Sequence, residues 1–361
     1  MTSNTKGWIP TVLMVVYHVI YAWMTIFLKL AAHDGMDLRV AVTYRFVFGA
    51  VSMVPIAFFF ERKTRPKLTW KVLFFAFFCG LLGGALGQNL FLESLALTSA
   101  TFASAMLNLM PATTFLIAVC TRLESVGWHT RAGKAKVFGT IIGIGGAMLF
   151  TFYKGPNITV WKTNVNLLNI LPSHHQTSPK TQHSNQALGT ILAFLCCASV
   201  SLWFIIQAKA AQYYPCPLSF TALMIVMALV LNLIATSCLQ RDWNEWKLGW
   251  NIRLVAVAFS GIVGTTFMYC LLTIVIPMRG PLFVSAFNPL IVVIVAIVGS
   301  LILEEDLYLG SLLGGLLIIC GLYIICWGKS KEIKMMANSI VPNEQPESSI
   351  SSHERDKEGD V

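Results

Sequence analysis

The sequence is a succession of apolar blocks, each about as long as a helix that crosses a bilayer. Of its 361 residues, 56% are hydrophobic and 12% are charged. A helix needs roughly 20 apolar residues to cross the hydrocarbon core, where the backbone must satisfy its own hydrogen bonds. We therefore predict an all-α membrane protein with ten transmembrane helices, at residues 9–30, 40–60, 72–95, 101–121, 137–153, 187–208, 218–238, 254–276, 281–303 and 308–327.

A polar stretch divides the blocks into two groups of five. The stretch covers residues 154–186 and is predicted to be a non-cytosolic linker loop. We expect a cytosolic N-terminus at 1–8, a first repeat at 9–153, a second repeat at 187–328 and a disordered cytosolic tail at 329–361.

The two halves resemble each other when one is shifted by about half the chain length. The shift places Trp23 and Lys29 on Trp203 and Lys209, and "GQN" at residues 87–89 near "GTT" at residues 264–266. Because five is odd, the second half enters the membrane from the opposite side. Inverted repeats of this kind recur in secondary transporters, with the substrate site near the midplane. The symmetry therefore predicts a transporter.

The net charge of +9 follows the topology and does not indicate a nucleic-acid partner. With the N-terminus in the cytosol, the connections on that side hold roughly twice as many Lys and Arg residues as those on the other side. The positive-inside rule then predicts that both termini are cytosolic. We expect a multi-pass protein of the plasma membrane, with the vacuolar membrane as the alternative.

Polar side chains inside apolar helices are the first candidates for substrate contact. Gln88 and Asn89 lie in the third helix, and Thr265 and Thr266 lie at the corresponding place in the eighth. Amides both donate and accept hydrogen bonds, which suits a zwitterionic amino acid. The alternative is that these groups only join helices to one another.

Two Asn–Pro pairs form a second candidate group. Asn108 precedes Pro111 in the fourth helix, and Asn288 precedes Pro289 in the ninth. A proline lacks the N–H that would bond to the carbonyl four residues earlier, so each helix is predicted to kink. An Asn beside a freed carbonyl could bind substrate; the alternative is a kink satisfied by a neighbouring helix.

The first helix carries a polar stripe. His18, Tyr21, Thr25 and Lys29 follow one another at helical spacing and share a face. His18 is a proton-coupling candidate, although a hydrogen-bonded interior histidine is the more common case. Tyr21 is a predicted substrate contact.

Trp23 and Trp203 occupy matching positions in the two repeats. We predict that they flank the cavity, with ordinary helix packing as the alternative.

Charges near helix ends suggest a gate. Lys29 and Glu304 are predicted to lie on the outer side, and Lys209 and Glu124 on the inner side. We predict two ion-pair latches that break alternately. The alternative is four solvated or snorkelling charges.

Arg45 lies inside the second helix, where an arginine is costly. Its predicted partner is Glu93, also a proton-coupling candidate; binding of a substrate carboxylate and snorkelling are the alternatives.

Several stretches, taken together, resemble one plant family. They are "FFERKTRPKLTW", "GQNLFLESLALTSATFASAMLNLMPATTF", "CTRLES", "GGAMLFTFYKGP", "MRGPLFVSAFNPL" and "LYLGSLLGGLLIICGLYIICWGKSKE". They look like the nodulin-21-like, Walls-Are-Thin-related proteins, also called UMAMIT transporters, of the EamA branch of the drug/metabolite transporter superfamily. The resemblance implies ten helices and movement of amino acids, or of auxin and related compounds in some members.

The leading hypothesis is a facilitator or exporter of amino acids or similar small organic solutes. An auxin-like aromatic acid is the second candidate. An intramembrane enzyme is the alternative from a different class. Against it, the sequence has no H-E-x-x-H or G-x-S-x-G motif and no paired carboxylates at mid-depth. No catalytic residue, metal or cofactor is predicted, and the chain is expected to be a monomer or a homodimer in the bilayer.

The charge distribution makes a prediction about sidedness. Epitope tags fused before Met1 and after Val361 should both be protected in intact cells and accessible only after permeabilisation. Tags found on different sides would contradict the inverted-repeat topology.

Overall fold

The computed structural model describes residues 5–98, 106–123, 130–153, 155–156, 186–240, 245–302 and 309–340. Within them the chain forms ten helical units. They are α1 (Thr5–His33), α2 (Leu38–Glu61), α3 (Trp70–Leu97), α4 (Met110–Cys120), α5 (Arg131–Phe152), α6 (Gln186–Tyr213), α7 (Pro217–Leu239), α8 (Ile252–Arg279), α9 (Pro281–Ala286 continuing as Asn288–Ile302) and α10 (Leu309–Ile340).

The helices match the expected membrane architecture. Eight of those described are long and apolar enough to span a bilayer, and shorter apolar helices cover Met110–Cys120 and Pro281–Ile294. Ten crossings place the start of α1 and the end of α10 on one face, which we call the terminal face; the other is the far face. The predicted all-α fold with two inverted five-helix repeats is confirmed.

The two repeats pack against each other through matching helices. α2 packs along α7, α3 packs against α6 and α7, and α8 packs against α1 and α2. Every one of these contacts joins the first repeat to the second. Both buried hydrophobic clusters among the described residues therefore contain side chains from the two repeats.

A wide helical turn interrupts α3 and α8 at corresponding places. Residues Gly80–Leu86 of α3 and Ser260–Phe267 of α8 are π-helical. Such segments are rare and are often found at functional sites. Here they contain glycines that bring helix backbones close together: a Cβ on Gly80 would lie 2.8 Å from the Ala228 nitrogen of α7, and one on Gly261 would lie 2.7 Å from the Arg45 carbonyl oxygen of α2.

The end of α2 caps the start of α7. The Glu61 carboxylate accepts hydrogen bonds from the backbone N–H groups of Leu218 (3.0 Å) and Ser219 (2.7 Å). These N–H groups have no partner within their own helix, and the positive end of the helix dipole favours a carboxylate there. At the far face, Asp37 caps α2 and also accepts from Gln240, just beyond the end of α7. Hydrogen bonds thus connect the antiparallel helices α2 and α7 at both ends.

The final helix extends further than the sequence suggested. α10 continues to Ile340, so the prediction of a disordered tail from residue 329 is wrong for its first turns. The reason is an ionic contact with α5: Lys136 lies 2.9 Å from Glu332, which lies 3.1 Å from Lys329. These charges are largely buried and satisfy one another, which stabilises the extra turns. Residues 341–361 lie outside the described part of the chain.

The two prolines interrupt their helices instead of merely kinking them. Asn108 and Leu109 form a turn, and Pro111 occupies the first turn of α4. In α9 the break falls at Phe287, directly before Asn288 and Pro289. Proline is well tolerated in the first turn of a helix because the N–H groups there have no partner in any case.

The α5–α10 contact predicts a stability difference between two glycine substitutions. A Cβ on Gly321 would lie 2.6 Å from the Gly143 nitrogen, whereas a Cβ on Gly145 would meet nothing within 4 Å. Gly321→Ala should lower the unfolding free energy by ~1–3 kcal/mol relative to Gly145→Ala. Both substitutions bring the same gain in helix propensity. The difference between their melting temperatures in detergent therefore reports the steric clash alone. Equal melting temperatures of the two variants would contradict the close contact between α5 and α10 at Gly321.

Candidate substrate-binding cavity

A cavity of about 520 Å³ lies between the two repeats. Its described lining residues come from α1, α2, α3, α5, α6, α8 and α9, from the start of α4 and from the residues directly before it. Seven of the ten predicted substrate-binding residues are among them: Tyr21, Arg45, Gln88, Asn108, Trp203, Thr265 and Asn288. The remaining three, Asn89, Thr266 and Trp23, point elsewhere.

The cavity extends from mid-membrane toward the far face. On α5 it reaches Phe150, close to the far-face end of that helix. Toward the terminal face the space is filled by large side chains that are at most 1% exposed, namely Met14, Leu272, Ile276, Phe283 and Phe287. The cavity therefore has a packed floor on the terminal side.

Arg45 supplies the positive charge of the cavity. Its side chain is 4% exposed, and its guanidinium carbon lies 5.0 Å from the centre of the Phe46 ring. Its Nη1 lies 3.8 Å from the Met24 sulfur, a weak acceptor, and its Nε has no hydrogen-bond partner in the described part of the chain. No carboxylate occurs among the described lining residues. A buried charge is costly unless it is paired, so this site favours an anionic group.

The predicted pairing of Arg45 with Glu93 is wrong. Glu93 forms an ion pair with Arg39, which lies nearer the start of α2. Both of these side chains are partly exposed, so they pair at the surface. Arg45 lies more than one helical turn further along α2, where its side chain points into the cavity instead.

Amide groups surround the space near Arg45. Gln88 reaches it from α3, and Asn108 and Asn288 reach it from the interruptions before α4 and within α9. The Asn108 Nδ2 is buried without a hydrogen-bond partner among the described residues, and the Asn288 Nδ2 lies 2.6 Å from the Met110 sulfur. Leu107, whose carbonyl cannot receive a bond from Pro111, also lines the cavity. These groups offer both donors and acceptors to a bound solute.

Aromatic rings form one wall. Trp203 is 4% exposed, and its ring centre lies 5.2 Å from that of Tyr269 and 5.1 Å from that of Phe204. The indole N–H points away from the cavity, 3.3 Å from the Met224 sulfur. Such rings offer a flat apolar surface and can also attract a cation.

The two repeats use equivalent triplets in the same way. In α3, Gly87 and Gln88 line the cavity, while the Asn89 amide contacts Asn232 of α7 at 3.3 Å. In α8, Gly264 and Thr265 line it, while the Thr266 hydroxyl contacts Ser52 of α2 at 2.6 Å. The third residue of each triplet therefore joins the repeats rather than facing the cavity.

Several predicted residues lie outside the cavity. Trp23 is 39% exposed and packs beside Phe27, so its ring faces outward. His18 is fully buried: its Nδ1 lies 2.7 Å from the Met14 carbonyl oxygen, and its ring packs between Tyr17 and Phe287.

The latch hypothesis involves residues that are only partly described. Glu124 and Glu304 lie outside the described residues, as does the side chain of Lys29. Lys209 is half-buried near the terminal-face end of α6. The two latches therefore stay predictions.

Four of the lining residues that sequence reasoning missed show why it did so. Tyr17 and Met24 extend the α1 stripe at helical spacing from Tyr21, so periodicity alone could have found them. Gly83 and Tyr269 carry no such signal, because their role depends on which neighbouring helix they meet.

The same architecture occurs in known proteins. The description of the EamA-like transporter family matches residues 8–152 and 187–327, one match for each repeat. A WAT1-related protein of Arabidopsis thaliana is 43% identical over 92% of both chains, and a second one from that plant is 39% identical over 90% of both. The chain belongs to the EamA-like transporter family. Among EamA-like proteins, its similarity lies with the WAT1-related group.

A solved structure supports the fold independently. A crystal structure of a protein with 15% sequence identity superposes with a TM-score of 0.64, covering 90% of this chain and 98% of the other. Membership of the EamA-like family makes the chain a multi-pass membrane transporter of the drug/metabolite type with a small-molecule substrate.

Adjacent threonines allow the cavity role to be separated from the packing role. Thr265→Val removes a hydroxyl from a residue of the cavity wall, together with its bond to the Ser260 carbonyl of the same helix. Thr266→Val removes contacts with Ser52 and with the Gly49 carbonyl of α2. A buried hydrogen bond contributes about 1 kcal/mol. Thr266→Val should therefore lower the melting temperature and leave solute affinity unchanged. Thr265→Val should weaken affinity by a factor of about 5 and lower the melting temperature less than Thr266→Val, because the Thr265 hydroxyl bonds to the Ser260 carbonyl within α8 and not across the repeats. Melting in detergent and concentration-dependent uptake measure the two effects; the reverse assignment would contradict the described cavity.

Proposed function

We propose that the chain carries small organic solutes with a carboxylate group, amino acids foremost, by alternating access. The observation that supports this most strongly is Arg45, a buried guanidinium beside the cavity with no carboxylate among the described lining residues. A guanidinium presents paired donors that match a carboxylate. A solute carboxylate would thus supply the negative charge that this arginine lacks.

An amino acid also needs a place for its ammonium group. The amide oxygens of Gln88, Asn108 and Asn288 are acceptors, and the faces of Trp203 and Tyr269 attract cations. All of these line the same cavity as Arg45. A zwitterion bound between them would satisfy both of its charges without a second buried ion in the protein.

The packed floor supports an alternating-access cycle. With both termini in the cytosol, the far face is the outer side, and the described cavity corresponds to an outward-facing state. Inward release then requires the side chains around Phe283 and Phe287 to separate. Inverted repeats favour such exchange because each half can adopt the arrangement of the other. Action at the plasma membrane, or at the vacuolar membrane, is consistent with this cycle.

An aromatic acid such as auxin is the second candidate. The observation that favours it is the wall formed by Trp203, Phe204 and Tyr269, which would stack on a planar ring. Such a solute needs Arg45 for its carboxylate but has no ammonium group. Uptake and efflux of labelled alanine, leucine, tryptophan and indole-3-acetate by cells that express the protein would distinguish the candidates.

Removing the arginine charge tests the carboxylate hypothesis. Arg45→Met should reduce uptake of the transported acid at least about tenfold, because a hydrogen bond to a charged group is worth ~1.5–3 kcal/mol. The inhibition constant of the corresponding uncharged amide should change little. The measurement is the ratio of inhibition constants for the acid and its amide.

Arg39→Met is the matched control. This arginine belongs to the same helix but pairs with Glu93 outside the cavity. Its substitution should leave the acid-to-amide ratio unchanged. A wild-type ratio in the Arg45→Met protein would contradict the role proposed for this residue.

A further inference from the structure

We propose that Gly83 is a positioning residue that seats the Trp203 indole, and that this ring sets the upper size limit for the transported solute. The inference rests on the proposed function, since it concerns how the same cavity selects among solutes. It assigns a specificity role to a glycine that has no side chain with which to contact the solute.

The indole lies directly on the backbone of α3. A Cβ placed on Gly83 would overlap the ring, coming within 2.7 Å of both Cε2 and Cε3 of Trp203. Real Cβ atoms do not approach ring carbons so closely, so any larger residue at this position must displace the indole. Gly83 lies within the π-helical turn of α3, where the Ser199 hydroxyl of α6 also donates to the Leu82 carbonyl at 2.9 Å.

Neighbouring groups hold the ring on its other sides. The indole N–H is directed to the Met224 sulfur of α7 at 3.3 Å, and the rings of Phe204 and Tyr269 lie beside it. These contacts leave the cavity as the direction with free space. A ring pushed from α3 by an added methyl group therefore moves into the volume where the solute binds.

A glycine of the second repeat also lies against a side chain of the cavity wall, but that side chain is a methionine. A Cβ on Gly264 in α8 would lie 2.7 Å from the Met24 sulfur. A flexible thioether can move aside, whereas an indole is rigid and large. The size limit consequently depends on the Gly83–Trp203 contact and not on the Gly264–Met24 contact.

The test compares solute size selectivity in variant proteins. The probes are labelled alanine, leucine, phenylalanine and tryptophan, together with the corresponding des-amino acids, in proteoliposomes of purified protein. Gly83→Ala should lower the ratio of uptake of the largest transported probe to that of the smallest by about tenfold, the scale expected for one methyl group in a tight pocket.

Two further variants make the result specific. Trp203→Phe in the Gly83→Ala background should restore the ratio to within about threefold of wild type, because the smaller ring leaves room for the methyl group. Gly145→Ala is the matched control, since a Cβ there meets nothing within 4 Å, and it should not change the ratio. Trp203→Phe alone should raise the relative uptake of the largest probe, so the inference does not depend on the Gly83 variant folding.

The outcomes separate this inference from the proposed function. If the wild-type protein moves none of the probes, the proposed function is wrong, and the inferred size limit is overturned as well. If the wild-type protein moves them and both Gly83→Ala and Trp203→Phe keep the wild-type ratio, this inference alone is overturned. Loss of transport in Gly83→Ala that Trp203→Phe does not restore would also count against it.

Discussion

The structure depends on the close approach of helix backbones across the boundary between the two repeats. In α3, Gly80 and Gly84 lie against α7; in α8, Gly261 lies against α2. Helices in lipid gain little from hiding apolar surface, so they associate through tight packing and hydrogen bonds between small and polar residues. The pairs Asn89–Asn232 and Thr266–Ser52 provide those hydrogen bonds beside the glycines. Each repeat thus completes its packing only against the other.

This mode of assembly places the cavity where the substrate site of an inverted-repeat transporter is expected. The π-helical turns that bring the glycines to the neighbouring helices also carry Gly83 and Thr265 to the cavity wall. By contrast, α5 and α10 pack along one another through glycines and the Lys136–Glu332 ion pair, at the margin of the bundle. The α5–α10 pair is therefore suited to stay rigid during transport. We expect the motion to occur at α3 and α8, which line the cavity and also form the interface between the repeats.

Much of the fold and part of the site were predictable because both depend on local pattern. The ten helices follow from apolar length, and the symmetric placement of Gln88 and Thr265 follows from the repeat. The predictions were wrong where contacts with neighbouring helices determine the direction in which a side chain points. Trp23 and Trp203 align in sequence, yet Trp203 packs against Gly83 of α3, whereas Trp23 faces outward. Likewise, Glu93 is close to Arg45 in predicted depth, but its position on α3 directs it to Arg39.

The backbone is nearly symmetric, whereas the chemistry of the cavity is not. Gly261 lies against the backbone of Arg45 and Gly49 in α2 as Gly80 lies against that of Met224 and Ala228 in α7, so the position of Arg45 corresponds to that of Met224, a fully buried apolar residue. Trp203 likewise forms part of an aromatic wall, whereas Trp23, the residue aligned with it on α1, faces outward. A symmetric frame allows the repeats to exchange conformations, but a solute with one charged end and one apolar end requires an asymmetric surface. The substitution of side chains on a shared backbone satisfies both requirements at once.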